Sequence, residues 1–229
     1  MGDNARTKRW IIAIDGPSGA GKSTVAKLLA KRLGYVVLDT GAMYRAVAFR
    51  AKQRGLCLED EESLSQLASS LQVTFLTING ELRVLCDAED ITEAIRSPDM
   101  SSLASDISKR EGVRSALVRL QREMGRAGGV ILEGRDIGTV VFPDADAKFY
   151  LDADAEERAR RRTEELVQKG VKITFQETLE DVIRRDRSDM TRAISPLRKA
   201  KDAVVIDSTH LSVEEVVEKM IQVIRQKEN

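Results

Sequence analysis

Histidine occurs once in 229 residues and cysteine twice, which leaves little material for a metal centre or for imidazole-driven chemistry. Cys57 and Cys86 stand far apart, with no Cys-x-x-Cys motif and no Cys/His cluster. That spacing argues against zinc and against a disulfide framework, and reduced thiols in the core are the expectation. The lone His210, in Ser208-Thr209-His210 after an apolar run, is expected to be structural. Net charge is also missing: Lys plus Arg number 37 and Asp plus Glu number 37. The molecule as a whole therefore offers no field that would steer it to nucleic acid or an acidic membrane, and any anion site must be built locally. No run of eighteen apolar residues occurs, although hydrophobic residues make up 42% of the chain, so no spanning helix is expected. Met1 to Arg9 is polar and mixed in charge, without the apolar centre of a signal peptide, and is expected to be a flexible N-terminus. Internal repeats and low-complexity tracts are absent too.

What the chain does have is a rhythm. Five apolar, β-branched runs end at Asp or Glu: Trp10–Asp15, Tyr35–Asp39, Val130–Glu133, Ala147–Asp152 and Ala203–Asp207. Because both faces of each are apolar, they read as buried strands of a parallel sheet. Helical patterns lie between them, at Lys22–Leu33, Ala42–Arg54, Glu111–Arg126, Glu156–Gln168, Glu177–Asp186 and Val213–Gln226. Alternating strand and helix implies an α/β, doubly wound, five-stranded parallel sheet. One segment breaks the pattern: Gln72–Ile78 and Glu81–Asp87 flank Asn79-Gly80, the mark of a two-residue β-hairpin. With its surrounding helices, roughly positions 46–110, it reads as a unit inserted into a core spanning 10–229. A shorter insertion at 154–170 opens with the arginine-dense Glu156–Arg162.

Gly16-Pro17-Ser18-Gly19-Ala20-Gly21-Lys22-Ser23 matches G-x-x-x-x-G-K-[ST], and it sits between a strand and a helix, as a phosphate-binding P-loop must. Its glycines let backbone N–H groups turn toward a phosphate at a helix N-terminus. Lys22 is placed to reach the β- and γ-phosphates, and the Ser23 hydroxyl to meet Mg2+. A further carboxylate for the metal is expected at the end of a neighbouring strand, and Glu133 and Asp39 are both candidates. No Asn-Lys-x-Asp guanine motif occurs, which favours ATP over GTP and weighs against a nucleotide-switched binding protein. Arginines crowd the loops at strand ends, so a second, anionic substrate fits. A phosphate acceptor is already ionised near neutral pH and needs no general base.

Asp39-Thr40-Gly41-Ala42-Met43-Tyr44-Arg45, Glu133-Gly134-Arg135-Asp136-Ile137-Gly138-Thr139-Val140-Val141-Phe142-Pro143, and Arg185-Asp186-Arg187-Ser188-Asp189 with Arg192 together resemble bacterial cytidylate kinase, a P-loop nucleoside monophosphate kinase. The resemblance runs from about Trp10 to Lys227 and includes the inserted hairpin. It implies a P-loop NTPase-like core with an inserted NMP-binding domain and a short helical lid. The activity it implies is transfer of the γ-phosphate of ATP to CMP, and to dCMP, with Mg2+. It implies that ATP and Mg2+ lie on Gly16 to Thr24. Arg45 and Arg135 would hold the acceptor phosphate, Thr40, Arg114 and Asp136 the cytosine, and Ser105, Arg185 and Asp189 the ribose. Arg192, with Arg158 and Arg162 of the lid, would approach the transferring phosphate or ATP, beside Lys22. Thr40 stands where the family often has serine, and Glu133 where aspartate is common. Small nucleotides, ATP, CMP and dCMP, are then the expected partners of a cytoplasmic monomer, with no nucleic acid and no membrane. Another nucleoside monophosphate acceptor is the alternative, to be separated at Asp136 and Arg114.

Overall fold

Each of the five apolar runs becomes a strand of one parallel sheet. The computed structural model describes residues 9–78 and 81–228. In chain order the elements are β1 (Ile11–Asp15), α1 (Lys22–Leu33), β2 (Val36–Asp39), α2 (Thr40–Gln53), α3 (Glu61–Ser70), β3 (Val73–Ile78), β4 (Glu81–Cys86) and β5 (Glu89–Asp90). They continue with α4 (Pro98–Ile107), α5 (Glu111–Gly125), β6 (Val130–Gly134), β7 (Ala147–Asp152), α6 (Ala155–Gln168), α7 (Phe175–Thr191), β8 (Val204–Asp207) and α8 (Val213–Glu228). The large sheet has the order β2-β6-β1-β7-β8, all parallel, so β1 is central and the loop that follows it opens between β6 and β7.

Both faces of this sheet are covered, which is why its strands carry no polar alternation. Helices α1 and α8 bury Leu29, Val217 and Met220 against Ile12, Ile14 and Phe149 on one face. On the other, Val118 and Met124 of α5 pack with Leu132, Ile137 and Val141. Each such side chain contributes about 1.5–3 kcal/mol by leaving water. No helix among the described residues is long and apolar enough to cross a membrane.

Between α2 and β6 the chain builds a second apolar cluster, where α2 meets α3, α4 and α5 around Met43, Val47, Leu64, Ile107 and Leu117. Strands β3 and β4 pair antiparallel, Val73 opposite Cys86 through Ile78 opposite Glu81. The Asn79-Gly80 turn between them lies outside the described residues, as does the N-terminus up to position 8.

Local chemistry moves several boundaries. Helix α2 starts at Thr40 rather than Ala42, because the Asp39 carboxylate caps it by accepting from the Ala42 N–H at 2.8 Å. The helix then runs unbroken through position 46, where the inserted unit was expected to begin. Helix α7 is longer at both ends than Glu177–Asp186: Thr174 and Glu177 form a reciprocal capping box, and the last turn extends to Thr191. Helices α3 and α4 are capped by the side chains of Asp60 and Ser97, each accepting from an N–H three residues on. Both cysteines are free, but only Cys86 is buried; Cys57 is exposed in the turn after α2 rather than in the core.

Candidate active site

Directly after β1 the backbone has no room for a side chain. A Cβ on Gly16, at φ 149°, would fall 1.9 Å from the Leu151 carbonyl oxygen, so only glycine lets the loop leave the sheet beside β7. The loop then wraps toward the start of α1, and two of its carbonyls have side-chain partners. Lys22 Nζ donates to the Pro17 carbonyl at 2.6 Å, and Arg158 Nη1 to that of Ser18 at 3.0 Å. Burial, then the positive field of Arg135, pulls the Lys22 ammonium down to about 7. A polyphosphate arriving here would restore its full charge, which is the behaviour expected of a lysine that binds an anion.

Ser23, at the second position of α1, donates its hydroxyl to Glu133 Oε2 at 2.8 Å, while Glu133 Oε1 is buried with no partner among the described residues. Burial and the nearby Asp39 push Glu133 up to about 7. A buried carboxylate with an orphaned oxygen beside a serine hydroxyl is a donor set of the hard-oxygen kind that suits Mg2+, directly or through water. Asp39, the other acid considered for this task, caps α2 and pairs with Arg45 at 2.9 Å.

The loop after β6 carries Arg135 and Asp136. Its shape depends on Asp15, whose carboxylate accepts from the Ile137 and Gly138 N–H groups, both at 2.8 Å, across the sheet from β1. The loop tightens into a single π turn, Ile137–Val141. Burial raises Asp15 to about 6. Arg135 and Asp136 are thereby presented at the strand end. Arg135 Nε donates to Asp189 Oδ2 at 2.8 Å. Asp136 makes a short, buried ion pair with Arg114 of α5, and Arg192 Nη2 stands 3.8 Å from its other oxygen. Arg192 also lies 4.0 Å from Asp189. Three guanidinium groups therefore share two carboxylates, and Arg185 opens onto the same space. Burial, followed by repulsion from Arg114, lowers Arg192, and burial followed by repulsion from Arg135 lowers Arg185. An anion entering here would relieve that repulsion.

These groups surround one cleft of about 600 Å³. Thr40, Arg45, Ser105, Arg114, Arg135, Asp136, Arg185, Asp189 and Arg192 all line it, together with Lys22, Ser23, Glu133 and Arg162. Within that set, Thr40 Oγ1 is already committed to the Glu133 carbonyl at 2.7 Å, and Arg162 pairs with Glu165 at 2.7 Å. Arg158 does not line the cleft, and neither do Gly16, Pro17 and Ala20 of the phosphate loop. One turn into α6, Arg158 points under the phosphate loop, where its guanidinium donates to Ala153, Ser18 and Asp186. Of the two places expected for it, the transferring phosphate or ATP, the side chain lies as a buried strut against the loop read as the ATP site. On the same helix Arg160 is an exposed partner of Glu157 and Glu164.

The cleft also includes residues not singled out from the sequence. Tyr44, one turn after Thr40, lies under the Arg114 guanidinium at 5.7 Å, and burial drives its phenol up to about 12. Ser101 and Ser108 flank Ser105 on α4 and at its C-terminal cap. Their spacing of four and three puts them on one helical face, a signal present in the sequence. Arg161 reaches the Ser208 carbonyl at 2.6 Å and borders a second recess of about 380 Å³, which shares Gly21 and Thr24 with the main cleft and is closed by Thr209 to Val213. His210 lines this recess.

A family model described as "Cytidylate kinase" matches residues 12–226. The chain is 56% identical over 218 residues to a protein of Geobacter sulfurreducens named cytidylate kinase, covering 95% of this chain and 94% of that one. It is 45% identical over 220 residues to a Bacillus subtilis protein of the same name, covering 96% and 98%. In fold it is similar to a gluconokinase from Sinorhizobium meliloti, with a TM-score of 0.50 at 14% identity over 96% of this chain and 94% of that one.

Proposed function

The chain belongs to the cytidylate kinase family, and from that premise we propose how its cleft carries out the family's reaction. The protein is an ATP-dependent nucleoside monophosphate kinase, which transfers the γ-phosphate of ATP to CMP and yields CDP and ADP. The observation that carries the assignment of roles is the excess of guanidinium charge at the end of β6, in the same cleft as Lys22.

In this reading ATP lies along Gly16 to Thr24, with its base in the recess between Arg161 and Ser208–Ser212. That recess continues directly from the phosphate loop. The acceptor phosphate is held by Arg45 and Arg135, whose forked N–H groups fix an oxygen in line with the γ-phosphorus as well as attracting it. Arg185 and Arg192 supply further positive charge. As the bond from the γ-phosphorus to the bridging β-oxygen breaks, a bond to the CMP oxygen forms. The acceptor oxygen is already ionised, so no base is required. Lys22 and the arginines stabilise the charge spread over the transferring group. Ser23 and Glu133 would hold Mg2+, which neutralises the charge on the β- and γ-oxygens. The ribose is read by Ser105, Arg185 and Asp189, and the cytosine by Asp136, Arg114 and Thr40. Residues 46–110 form the acceptor-side unit and 154–170 a closing lid. The protein works as a cytoplasmic monomer on small nucleotides, with no nucleic acid or membrane partner.

A coupled assay with CMP, dCMP, UMP and AMP as acceptors tests this directly. CMP and dCMP are expected to be phosphorylated far faster than UMP or AMP; equal rates would overturn the assignment of the base site. The lid is tested separately. Hydrogen exchange across Arg158–Gln168 is expected to slow when a bisubstrate analogue is bound, because closure removes these amides from water. Unchanged exchange would mean that α6 is an ordinary charged surface helix held by its Glu/Arg pairs.

A further inference from the structure

We infer that Asp186 is a positioning residue for the nucleotide donor: acting through Arg158, it holds the phosphate loop in its anion-binding form. The inference rests on the reading of Gly16–Thr24 as the donor site. In a trans peptide the carbonyl and the following N–H point in opposite directions. Because the Ser18 carbonyl is turned to Arg158 Nη1 at 3.0 Å, the Gly19 N–H is turned the other way, away from Arg158, and Ser18 and Gly19 both border the cleft. A phosphate loop depends on such inward N–H groups, and each one requires an outward carbonyl that finds a donor.

Arg158 is that donor, and Asp186 holds it in place. The Arg158 side chain is 6% exposed and that of Asp186 13%. Nε of the guanidinium donates to the Ala153 carbonyl at 2.8 Å, and Nη2 to Asp186 Oδ2 at 2.6 Å. Orientation by two partners leaves Nη1 directed at Ser18. Contact between the elements is close as well: a Cβ on Gly19, at φ 79°, would lie 3.0 Å from the Arg158 Cβ. Asp186 is the carboxylate that meets the buried guanidinium, and it comes from α7, the helix that also carries Arg185 and Asp189 into the acceptor side of the cleft.

Three physical roles for Asp186 predict different signs. If it acted only through its negative charge, removing it would tighten both anionic nucleotides, since that charge offsets the positive field of Arg158 and Arg135. If it were only a packing element, its loss would weaken both to the same extent. If it positions the loop, the donor alone weakens.

The test is calorimetric titration of Asp186→Ala and Asp186→Asn with ADP and, separately, with CMP. For Asp186→Ala the Kd for ADP is expected to rise tenfold or more, about 1.4 kcal/mol, with that for CMP within twofold. Asp186→Asn keeps an acceptor oxygen while losing charge, and is expected to fall between wild type and alanine. It carries the test if the alanine variant does not fold. Unchanged or tighter ADP binding in a folded variant, or equal weakening of ADP and CMP, would overturn the inference. Wild-type protein unable to phosphorylate CMP would instead overturn the functional reading beneath it.

Discussion

Lys22→Ala is expected to fold normally and to transfer phosphate at less than a hundredth of the wild-type kcat. The residue is 6% exposed and its charge is already disfavoured by burial and by Arg135, so the folded protein without nucleotide gains little from that charge. A buried charge with no ion-pair partner is held at a cost in the folded state, so the Tm should hold to within the one hydrogen bond to the Pro17 carbonyl, about 1.5–3 kcal/mol for a charged donor. Its value lies in the transition state, where the phosphoryl oxygens carry the most charge and the cleft excludes water. Removing one such preorganised donor costs roughly 2.7–4 kcal/mol, a factor of about 10²–10³. Steady-state kinetics with saturating ATP and CMP, alongside thermal melting, provide the check. A folded variant retaining more than a tenth of wild-type kcat, a loss below about 1.4 kcal/mol, would remove Lys22 from the transferring centre.

Asp136→Asn is expected to reduce the preference for CMP over UMP by tenfold or more, about 1.4 kcal/mol, with ADP affinity within twofold. Cytosine offers an amino donor at N4 where uracil offers a carbonyl, so a carboxylate facing that position attracts one base and repels the other. The structure adds a second consequence. Asp136 is the anion against which Arg114 is paired and toward which Arg192 leans at 3.8 Å. Its neutralisation leaves two buried guanidinium groups short of countercharge. A lower Tm is therefore expected for Asp136→Asn, and a larger loss, about 3–5 kcal/mol, for removal of the side chain. The kinetic ratio separates the two roles. If kcat/KM fell by the same factor for CMP and UMP, Asp136 would serve only to hold its arginines.

Much of the site was legible because it is local. The phosphate loop is one contiguous stretch, since its chemistry needs successive N–H groups and the start of a helix. The Asp39–Arg45 and Glu133–Phe142 segments likewise follow strand ends, where a doubly wound sheet opens its crevice. Ser101, Ser105 and Ser108 share a helical face, although only Ser105 was picked out. The boundaries of α2 and α7 shifted because capping by Asp39, and by Thr174 with Glu177, extends helices past their apolar pattern.

Taken alone, the sequence determined the five buried strands, the helix after the phosphate loop, the inserted antiparallel ribbon and many of the residues that line the cleft. Each follows from periodicity, from a contiguous motif, or from resemblance across nearly the whole chain. The tertiary structure decided how the charges are distributed among partners remote in sequence. It placed Arg158 under the loop with Asp186 while Arg162, one turn on, stayed in the cleft. It also set Asp15 against the turn after β6 and Arg114 against Asp136. The reason is physical: burying a guanidinium or a carboxylate requires an oppositely charged or hydrogen-bonding partner, and which partner comes within reach depends on how helices and strands pack, a matter that spacing along the chain does not encode.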